Sequence, residues 1–377
     1  MTDVPGRSAR VAVVVTQLGL GGAERQTTLL LERLAGTSWA PRLVVCLSGH
    51  VEPYGPRLEA AGYPLAVLPR RRSLDPGRLL RLRRLLRDEA IDLVHAVHML
   101  ASGYCALATW GSRRVLVPSA RGTVVPRSPL RWAVYRRMLR RAPVVVANSE
   151  RGARFLVERL GAPPDRVRVI PNGIAFDELR RAARPDAVRR ELGLDAAAPV
   201  VAFVGKDNRV KNIPRLARVL GRLFAREPAL HALVVGTGLD ETARGRLFAG
   251  LDPERLHLLG RRDDVPSLLA AADVLLVTSD SEGCPNAVLE ALAVGTPVVS
   301  GDVGDVGRMI AGDVAGTTVP VDDDAAYVEA VLHWIAVRDA ARAHVLGEAP
   351  RIERTWGIDA MVRATVEAWR DALDRAR

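Results

Sequence analysis

Short runs of valine, leucine and isoleucine recur along the chain, and the stretches between them carry apolar residues at helical spacing. In the first half the runs are Val11–Thr16, Arg42–Leu47, Leu65–Leu68, Leu93–Ala96, Val115–Ser119, Val144–Asn148 and Val167–Ile170. The intervening spacing predicts helices over Arg25–Ala35, Pro76–Asp88 and Leu130–Arg141. The second half restarts the rhythm with runs at Val200–Val204, Leu230–Val235, Leu256–Leu259, Val274–Val277 and Pro297–Ser300. Runs that are apolar throughout suit strands buried on both faces, and strand-helix-strand alternation predicts parallel sheets covered by helices. Two doubly wound α/β domains follow: residues 1–175, a charged Arg/Ala-rich linker at 176–198, a second domain at 199–353, and a terminal helix at 354–377 expected to pack back on the first domain.

The chain has 377 residues, of which 48% are hydrophobic, enough for two cores. No apolar run approaches the ~20 residues of a membrane-spanning helix. The first apolar run is too short for a signal peptide and leads into Gly19-Leu20-Gly21-Gly22, so it is expected as the first strand. Three scattered cysteines, Cys46, Cys105 and Cys284, form neither a disulfide framework nor a zinc motif, as in a cytoplasmic protein.

The net charge of +11 is uneven: residues 1–175 hold 28 arginines against 12 acids, while the rest is net acidic. A basic first half fits a peripheral enzyme facing anionic lipid on the inner membrane face, and it equally fits a chain that simply prefers arginine. Leu130–Arg141 sharpens the choice. It mixes Trp132, Tyr135, Met138 and Leu139 with arginines at 131, 136, 137, 140 and 141, and Arg127 just precedes it. Such a helix can lie on a membrane or pack its apolar stripe on the sheet, and every helix here needs such a stripe. Nucleic acid is not an expected partner, since aromatic content is 4% and no nucleic-acid module is present.

The chemistry concentrates at strand ends. Glu282-Gly283-Cys284-Pro285-Asn286 and Glu290 straddle a loop-to-helix junction after Val274–Val277, with Pro285 in the first turn and Gly295-Thr296-Pro297 as a stop. At ~1.5 Å per helical residue the two carboxylates could lie on the order of 10 Å apart. Gly205-Lys206-Asp207-Asn208-Arg209-Val210-Lys211-Asn212 follows the first strand of the second half. Lys206 and Lys211 are the only lysines, against 52 arginines. Two compact cations on one loop suit a phosphate-bearing leaving group, whose developing charge they would stabilise without a metal. Gly19-Leu20-Gly21-Gly22-Ala23-Glu24-Arg25 follows the first strand of the chain and brings backbone amides to a helix start, although it is not GxGxxG. His95 and His98 sit at the end of another strand, too few for a metal site. Arg121-Gly122-Thr123 follows the next. Asn148 or Ser149 is expected to cap a helix.

Glu-x7-Glu with Lys211-Asn212 resembles family 4 of the retaining glycosyltransferases, and Gly-Gly-Ala-Glu-Arg, Asn148-Ser149-Glu150, Ile170-Pro-Asn-Gly-Ile174, Gly236, Gly260 and Gly304-Asp305 resemble its lesser segments. The resemblance implies the GT-B fold, two Rossmann-like domains facing across a cleft. It implies catalytic roles for Lys206, Lys211, Glu282 and His98. It places Gly21, Gly22, Gly205, Arg209, Gly236, Gly283, Cys284, Pro285, Asn286, Val288 and Glu290 at the donor, with Glu290 on the ribose hydroxyls and Glu282 on the sugar. His95, Arg121 and Glu24 fall on the acceptor side. The sequence departs from the family pattern twice: Lys206 stands where an arginine is usual, and His-x-x-His replaces His-x-His.

The implied activity is metal-independent, retaining transfer of a hexose from a nucleotide diphosphate sugar, with no cofactor. The acceptor hydroxyl would belong to a saccharide, a lipid-linked saccharide or a small molecule, in glycan or polysaccharide biosynthesis. A catalytically silent sugar-nucleotide-binding subunit and a nucleotide-sugar epimerase of the same architecture are the alternatives.

Overall fold

The computed structural model describes residues 9–70, 75–121, 129–310 and 314–377, with the side chain of Leu130 excepted. It divides into two compact units: unit 1 is Met1–Gly173 with Ile358–Arg377, and unit 2 is Ile174–Gly357.

Unit 1 contains β1 (Val11–Val15), α1 (Gly22–Leu34), β2 (Leu43–Cys46), α2 (Tyr54–Ala60), β3 (Leu65–Val67), α3 (Pro76–Asp88), β4 (Leu93–Val97), α4 (Met99–Thr109), β5 (Val115–Ala120), α5 (Pro129–Arg141), β6 (Val145–Ala147), α6 (Glu150–Glu158) and β7 (Val167–Val169). Its sheet runs β3-β2-β1-β4-β5-β6-β7, and every pairing is parallel. The central strands β1 and β4 are buried at every position, which explains why His95 alone interrupts their apolar sequence.

Unit 2 contains α7 (Phe176–Ala182), α8 (Pro185–Glu191), β8 (Val200–Val204), α9 (Ile213–Arg226), β9 (His231–Val235), α10 (Arg244–Leu247), β10 (Leu256–Gly260), α11 (Val265–Ala271), β11 (Val274–Val277), α12 (Asn286–Ala293), β12 (Val298–Gly301), α13 (Val306–Met309), β13 (Gly316–Val319), α14 (Asp324–Ala336) and α15 (Arg338–Trp356). Its sheet is also all parallel, ordered β10-β9-β8-β11-β12-β13. The last helix, α16 (Ile358–Arg375), belongs to unit 1, where it packs on α1 and β5.

Two sequence boundaries shift and one strand is added. The stretch 176–198, expected as a linker, instead holds α7 and α8, whose Phe176 and Val188 are buried in the core of unit 2. Its arginines masked two short helices that each present one apolar side. The terminal helix begins at Ile358, not 354, because Gly357 interrupts it and Arg354 still belongs to α15. The strand β13 was not expected; its sequence Gly-Thr-Thr-Val carries little apolar signal.

Sheet order fixes where ligands can bind. In open parallel sheets the loops that leave the carboxyl ends of two neighbouring strands diverge at the point where strand order reverses. That point lies between β1 and β4 in unit 1 and between β8 and β11 in unit 2.

Candidate functional site

In unit 2 the loops after β8 and β11 carry the two motifs, and because these strands are neighbours the loops meet. Lys211 ends a short 3-10 turn, Arg209–Lys211, and its Nζ donates to Glu282 Oε1 at 2.6 Å. Ser279 Oγ donates to the same oxygen at 2.7 Å. Both charged side chains are largely enclosed, with 20% and 14% of their surfaces exposed, so the pair is held in place rather than waving in solvent.

A second layer of polar contacts locks the two loops together. Asp280 N donates to Val210 O at 2.8 Å, and Thr278 Oγ1 donates to Lys211 O at 3.0 Å. Arg215, buried in the first turn of α9, donates to Thr278 O at 2.9 Å, to Asp280 at 2.6 Å and to Asp322 at 2.8 Å. Asn212 adopts the left-handed conformation that asparagine tolerates, caps α9 through Arg215 N, and donates its amide to Asp280 at 2.9 Å. Partial burial opposes the charge on Asp280, yet hydrogen bonds from Asn212 and Arg215 hold its carboxyl below the ordinary value. Sequence reading missed Arg215, Asp280 and Ser279. Their signal was weak, because Asp280 and Ser279 sit just ahead of a stronger motif and one arginine among 52 attracts no notice.

Glycines bring the backbone close around these loops. A Cβ on Gly236 would lie 1.6 Å from Gly205 O, and one on Gly304 would lie 2.3 Å from Gly283 O. Both glycines also have positive φ. Gly205 N donates to Val235 O, and Asp305 N donates to Gly283 O. Pro285 occupies the position just before α12, one residue ahead of the first turn where it was expected, and Cys284 and Pro285 are buried while Asn286 is half-buried. Glu290 is buried on α12, one residue pair beyond Val288, which is fully enclosed in the unit 2 core. Lys206 and Arg209 lie on the exposed part of the loop after β8.

Unit 1 assembles its polar residues from loops after β1, β4 and β5. Glu24, in the first turn of α1, is buried and accepts from Gln17 Nε2 at 3.1 Å. Its carboxylate lies so close to Gly21 that a Cβ there would sit 1.9 Å from Oε2. Gly22 begins α1. His98 precedes α4 with φ +74 and ψ 150, a conformation ordinarily left to glycine, at a typical cost of ~1–3 kcal/mol. Its Nδ1 is buried without a hydrogen-bond partner. Burial lowers the His98 pKa; Glu24 pulls it back up and Arg121 pushes it further down, which places the three side chains in one electrostatic cluster. Arg121 Nη1 donates to Asn172 Oδ1 at 2.9 Å. Gly122 and Thr123, expected beside it, lie outside the described residues, as does Arg127.

His95 is set deeper. It lies within β4, and its Nδ1 accepts from Trp369 Nε1 of α16 at 3.1 Å, so its proton resides on Nε2, which has no partner. Burial, reinforced by Arg121, lowers its pKa to about 3 and keeps the ring neutral. Ser149 caps α6 by accepting from Gly152 N at 3.0 Å. Among the described residues no group of three or more His, Cys, Asp or Glu could hold a metal ion. No helix among them is long and apolar enough to cross a membrane.

Comparison with known proteins follows the same division. Residues 20–178 match the family described as Glycosyltransferase Family 4, and residues 198–336 match Glycosyl transferases group 1. The chain is 31% identical over 303 residues to the D-inositol 3-phosphate glycosyltransferase of Geodermatophilus obscurus, covering 75% of this chain and 63% of that one. It is 32% identical over 269 residues to the Nocardia farcinica protein of the same name, covering 68% and 57%. Against the Nocardiopsis dassonvillei protein of that name it is 30% identical over 302 residues, covering 74% and 70%. The matched region thus spans less than two thirds of the first two relatives. Among solved structures, Anabaena Alr3699/HepE in complex with UDP-glucose superposes with a TM-score of 0.81 at 21% identity, covering 96% of this chain and 99% of that one. WaaG, a glycosyltransferase involved in lipopolysaccharide biosynthesis, superposes with a TM-score of 0.70 at 19% identity, covering 95% and 98%; these likenesses bear on the fold. Motifs, sheet order and comparisons converge: the chain belongs to the family 4 glycosyltransferases and has the GT-B fold.

Proposed function

We propose that this chain is a cytoplasmic, metal-independent, retaining hexosyltransferase that takes its sugar from a nucleotide diphosphate donor, with a UDP-hexose as the first candidate. The observation that carries the reading is the Lys211–Glu282 pair, held in register by Arg215, Asp280 and Asn212. The pairing keeps a cation and a carboxylate side by side, so that Lys211 can serve the diphosphate while Glu282 serves sugar hydroxyls. As the glycosidic bond breaks, charge grows on the diphosphate, and a fixed ammonium stabilises it most at that moment. Lys206 and the exposed Arg209 would supply further positive charge. Glu290 would accept from the ribose hydroxyls, a charge-assisted contact.

The acceptor proton would pass to the departing diphosphate on the same face, with no covalent bond to a side chain. In unit 1, Glu24, His98 and Arg121 would hold the acceptor hydroxyl. The solved relative with UDP-glucose supports a uridine donor, and the curated relatives put phosphorylated polyols beside saccharides and lipid-linked saccharides among acceptors to try.

The test is a thermal-shift screen against UDP, GDP, ADP and their sugar conjugates, with and without added divalent metal. A selective, metal-independent upward shift from one nucleotide, lost in Glu290→Ala and Lys211→Ala, is expected. No shift from any nucleotide in a folded protein would sink the proposal. Binding without turnover on any acceptor would favour the silent-subunit reading, for which the substitution of lysine at position 206 is the specific motive.

A further inference from the structure

Gly304 lies between two anchored valines on the loop that leads from β12 into α13. Val303 and Val306 are both fully enclosed in the unit 2 core, in the same cluster as Cys284 and Val288. Asp305 is buried as well, with Arg308 Nη1 3.4 Å from its Oδ2. Arg308 N and Met309 N both donate to Asp305 O at 3.0 Å. Gly304 and Asp305 are therefore fixed from both sides, in a close-packed interior that yields little.

This fixed loop presses on the peptide groups beside Glu282. Asp305 N donates to Gly283 O at 3.0 Å. A Cβ on Gly304 would collide with that same oxygen, and would lie 2.8 Å from Glu282 O and 2.9 Å from Glu282 C. The Gly283 carbonyl thus points at the β12 loop, and the Glu282 carbonyl group packs against the bare Cα of Gly304. In a trans peptide the N–H points opposite the C=O. The Cys284 N–H is therefore turned away from β12, and the sheet order places β8, with the Lys211 loop, on that other side of β11. The Glu282 carboxylate reaches the same way, to Lys211 Nζ and Ser279 Oγ.

We propose that Gly304 is a positioning residue for the transfer reaction: its missing side chain lets the β12 loop hold the peptides from Glu282 to Cys284 in the orientation that sets Glu282 against Lys211 and aims the Cys284 N–H at the donor. The inference rests on the donor reading above. Lys211 and Ser279 hold the carboxylate of Glu282 at its tip, and Gly304 with the Asp305 N–H holds its backbone. Any side chain at 304 must drive Gly283 O away, rotate that peptide and break the Asp305 hydrogen bond. A displacement of about 1 Å in a reacting constellation is enough to cost on the order of 10²-fold in rate. Space, more than dihedral angle, is what demands glycine here, because asparagine tolerates the φ of +57.

The full chain, labelled with 15N, is titrated with UDP and with UDP-glucose and followed by amide NMR. Before addition the Asp305 amide should exchange slowly with solvent, because it donates to Gly283 O. UDP-glucose should move the Cys284 amide resonance. A response to UDP as well would assign the contact to the diphosphate, and a response to UDP-glucose alone would assign it to the sugar. Gly304→Ala should lower turnover by about tenfold to a hundredfold. Gly304→Asn should lower it as much, since asparagine relieves φ but brings the same Cβ. In both variants the Asp305 amide should exchange quickly and the Cys284 resonance should stop following the nucleotide sugar. Gly307→Ala, three residues on, adds a methyl that among the described residues meets only Thr318 Cγ2, at 3.8 Å, and should leave turnover unchanged. Circular dichroism melts check that each variant is folded, and if neither position-304 variant folds, the wild-type spectra decide. Undiminished turnover in Gly304→Ala, recovery in Gly304→Asn, a fast-exchanging Asp305 amide in the wild type, or a Cys284 resonance indifferent to a nucleotide sugar that moves other resonances would each overturn the proposal and leave the donor reading standing. Failure of every nucleotide sugar in the thermal-shift screen to bind would sink the donor reading, and this inference with it.

Discussion

The two units use the same topological device and fill it differently. In each, polar loops leave neighbouring parallel strands where strand order reverses. Unit 2 fills that point from two short segments, residues 205–215 and 278–290, cross-tied by Lys211, Asn212, Arg215, Asp280 and Glu282. Unit 1 fills it with Glu24, His98 and Arg121, one from the segment after each of three strands, one of them on strained backbone. A diphosphate is a constant object, and a rigid cassette of fixed charges can serve it in many proteins. An acceptor varies from protein to protein, and single residues on separate loops can be changed one at a time. The difference predicts that chemistry is concentrated in unit 2 and selectivity in unit 1.

The largest expected effect tests that division directly. Lys211→Ala should lower turnover by about 10²–10³-fold, the usual result of removing one fixed donor from a developing anion. Glu24→Gln, at the matching point of unit 1, should instead raise the acceptor KM and change turnover by less than tenfold. Steady-state kinetics with donor and acceptor varied separately would read both. If Glu24→Gln costs turnover as much as Lys211→Ala, the division between the units fails.

An intermediate effect concerns stability. His95 has a folded pKa of about 3 against an ordinary 6.5, chiefly through burial and secondarily through Arg121. Above 6.5 it is neutral in both folded and unfolded chains and contributes no pH dependence. Below 6.5 the unfolded chain gains a proton that folded His95 refuses, so stability falls with pH until about 3. At pH 5 the loss is roughly 2 kcal/mol from this residue alone. Unit 2 has lowered imidazoles too, His231 and His257, but both are only partly buried and share one hydrogen bond at 3.2 Å. Hydrogen exchange at pH 7 and pH 5, corrected for intrinsic rates, should show a greater loss of protection in β4 than in β9. His95→Gln should remove most of that excess. Equal losses in both sheets would show that the buried histidine does not distinguish the units.

The same contrast governs how much was legible in the sequence. Of the thirteen strands among the described residues, twelve announced themselves as apolar runs, because parallel strands buried on both faces permit little else. The exception, Gly316–Val319, is threonine and glycine at three of its four positions. The unit 2 cassette could be read because Glu282, Glu290 and Lys211 fall within local motifs whose spacing survives folding. The brace under it could not. Arg215 is marked as special only by its burial and its three acceptors, and both arise from strands paired in three dimensions. For unit 1, proximity of Glu24, His98 and Arg121 follows from the order β1-β4-β5, which no local pattern encodes. His95 and His98 looked equivalent at three residues' separation; one lies within the strand and bonds Trp369, while the other stands at the strained corner beyond it.

The smallest effect probes the brace itself. Arg215→Lys keeps the charge but loses the planar fork that reaches Thr278 O, Asp280 and Asp322 together. Asp280 and Asp322 are themselves solvent-accessible, so neither is stranded in a dry interior and the fold should tolerate the change. What loosens is the Thr278–Asp280 segment, and with it the register of Glu282 against Lys211. A reactive geometry blurred in this way should lower turnover by about tenfold, or ~1.4 kcal/mol, while the donor dissociation constant moves less than threefold. Asp280→Asn, which keeps the shape and weakens the charge, should fall between the wild type and Arg215→Lys. A change confined to donor affinity would make Arg215 a binding residue and dissolve the claim that unit 2 works as a rigid cassette. A lower melting temperature with unaltered turnover would reduce the brace to scaffolding, and the two units would then differ in the charges they hold and not in how firmly they hold them.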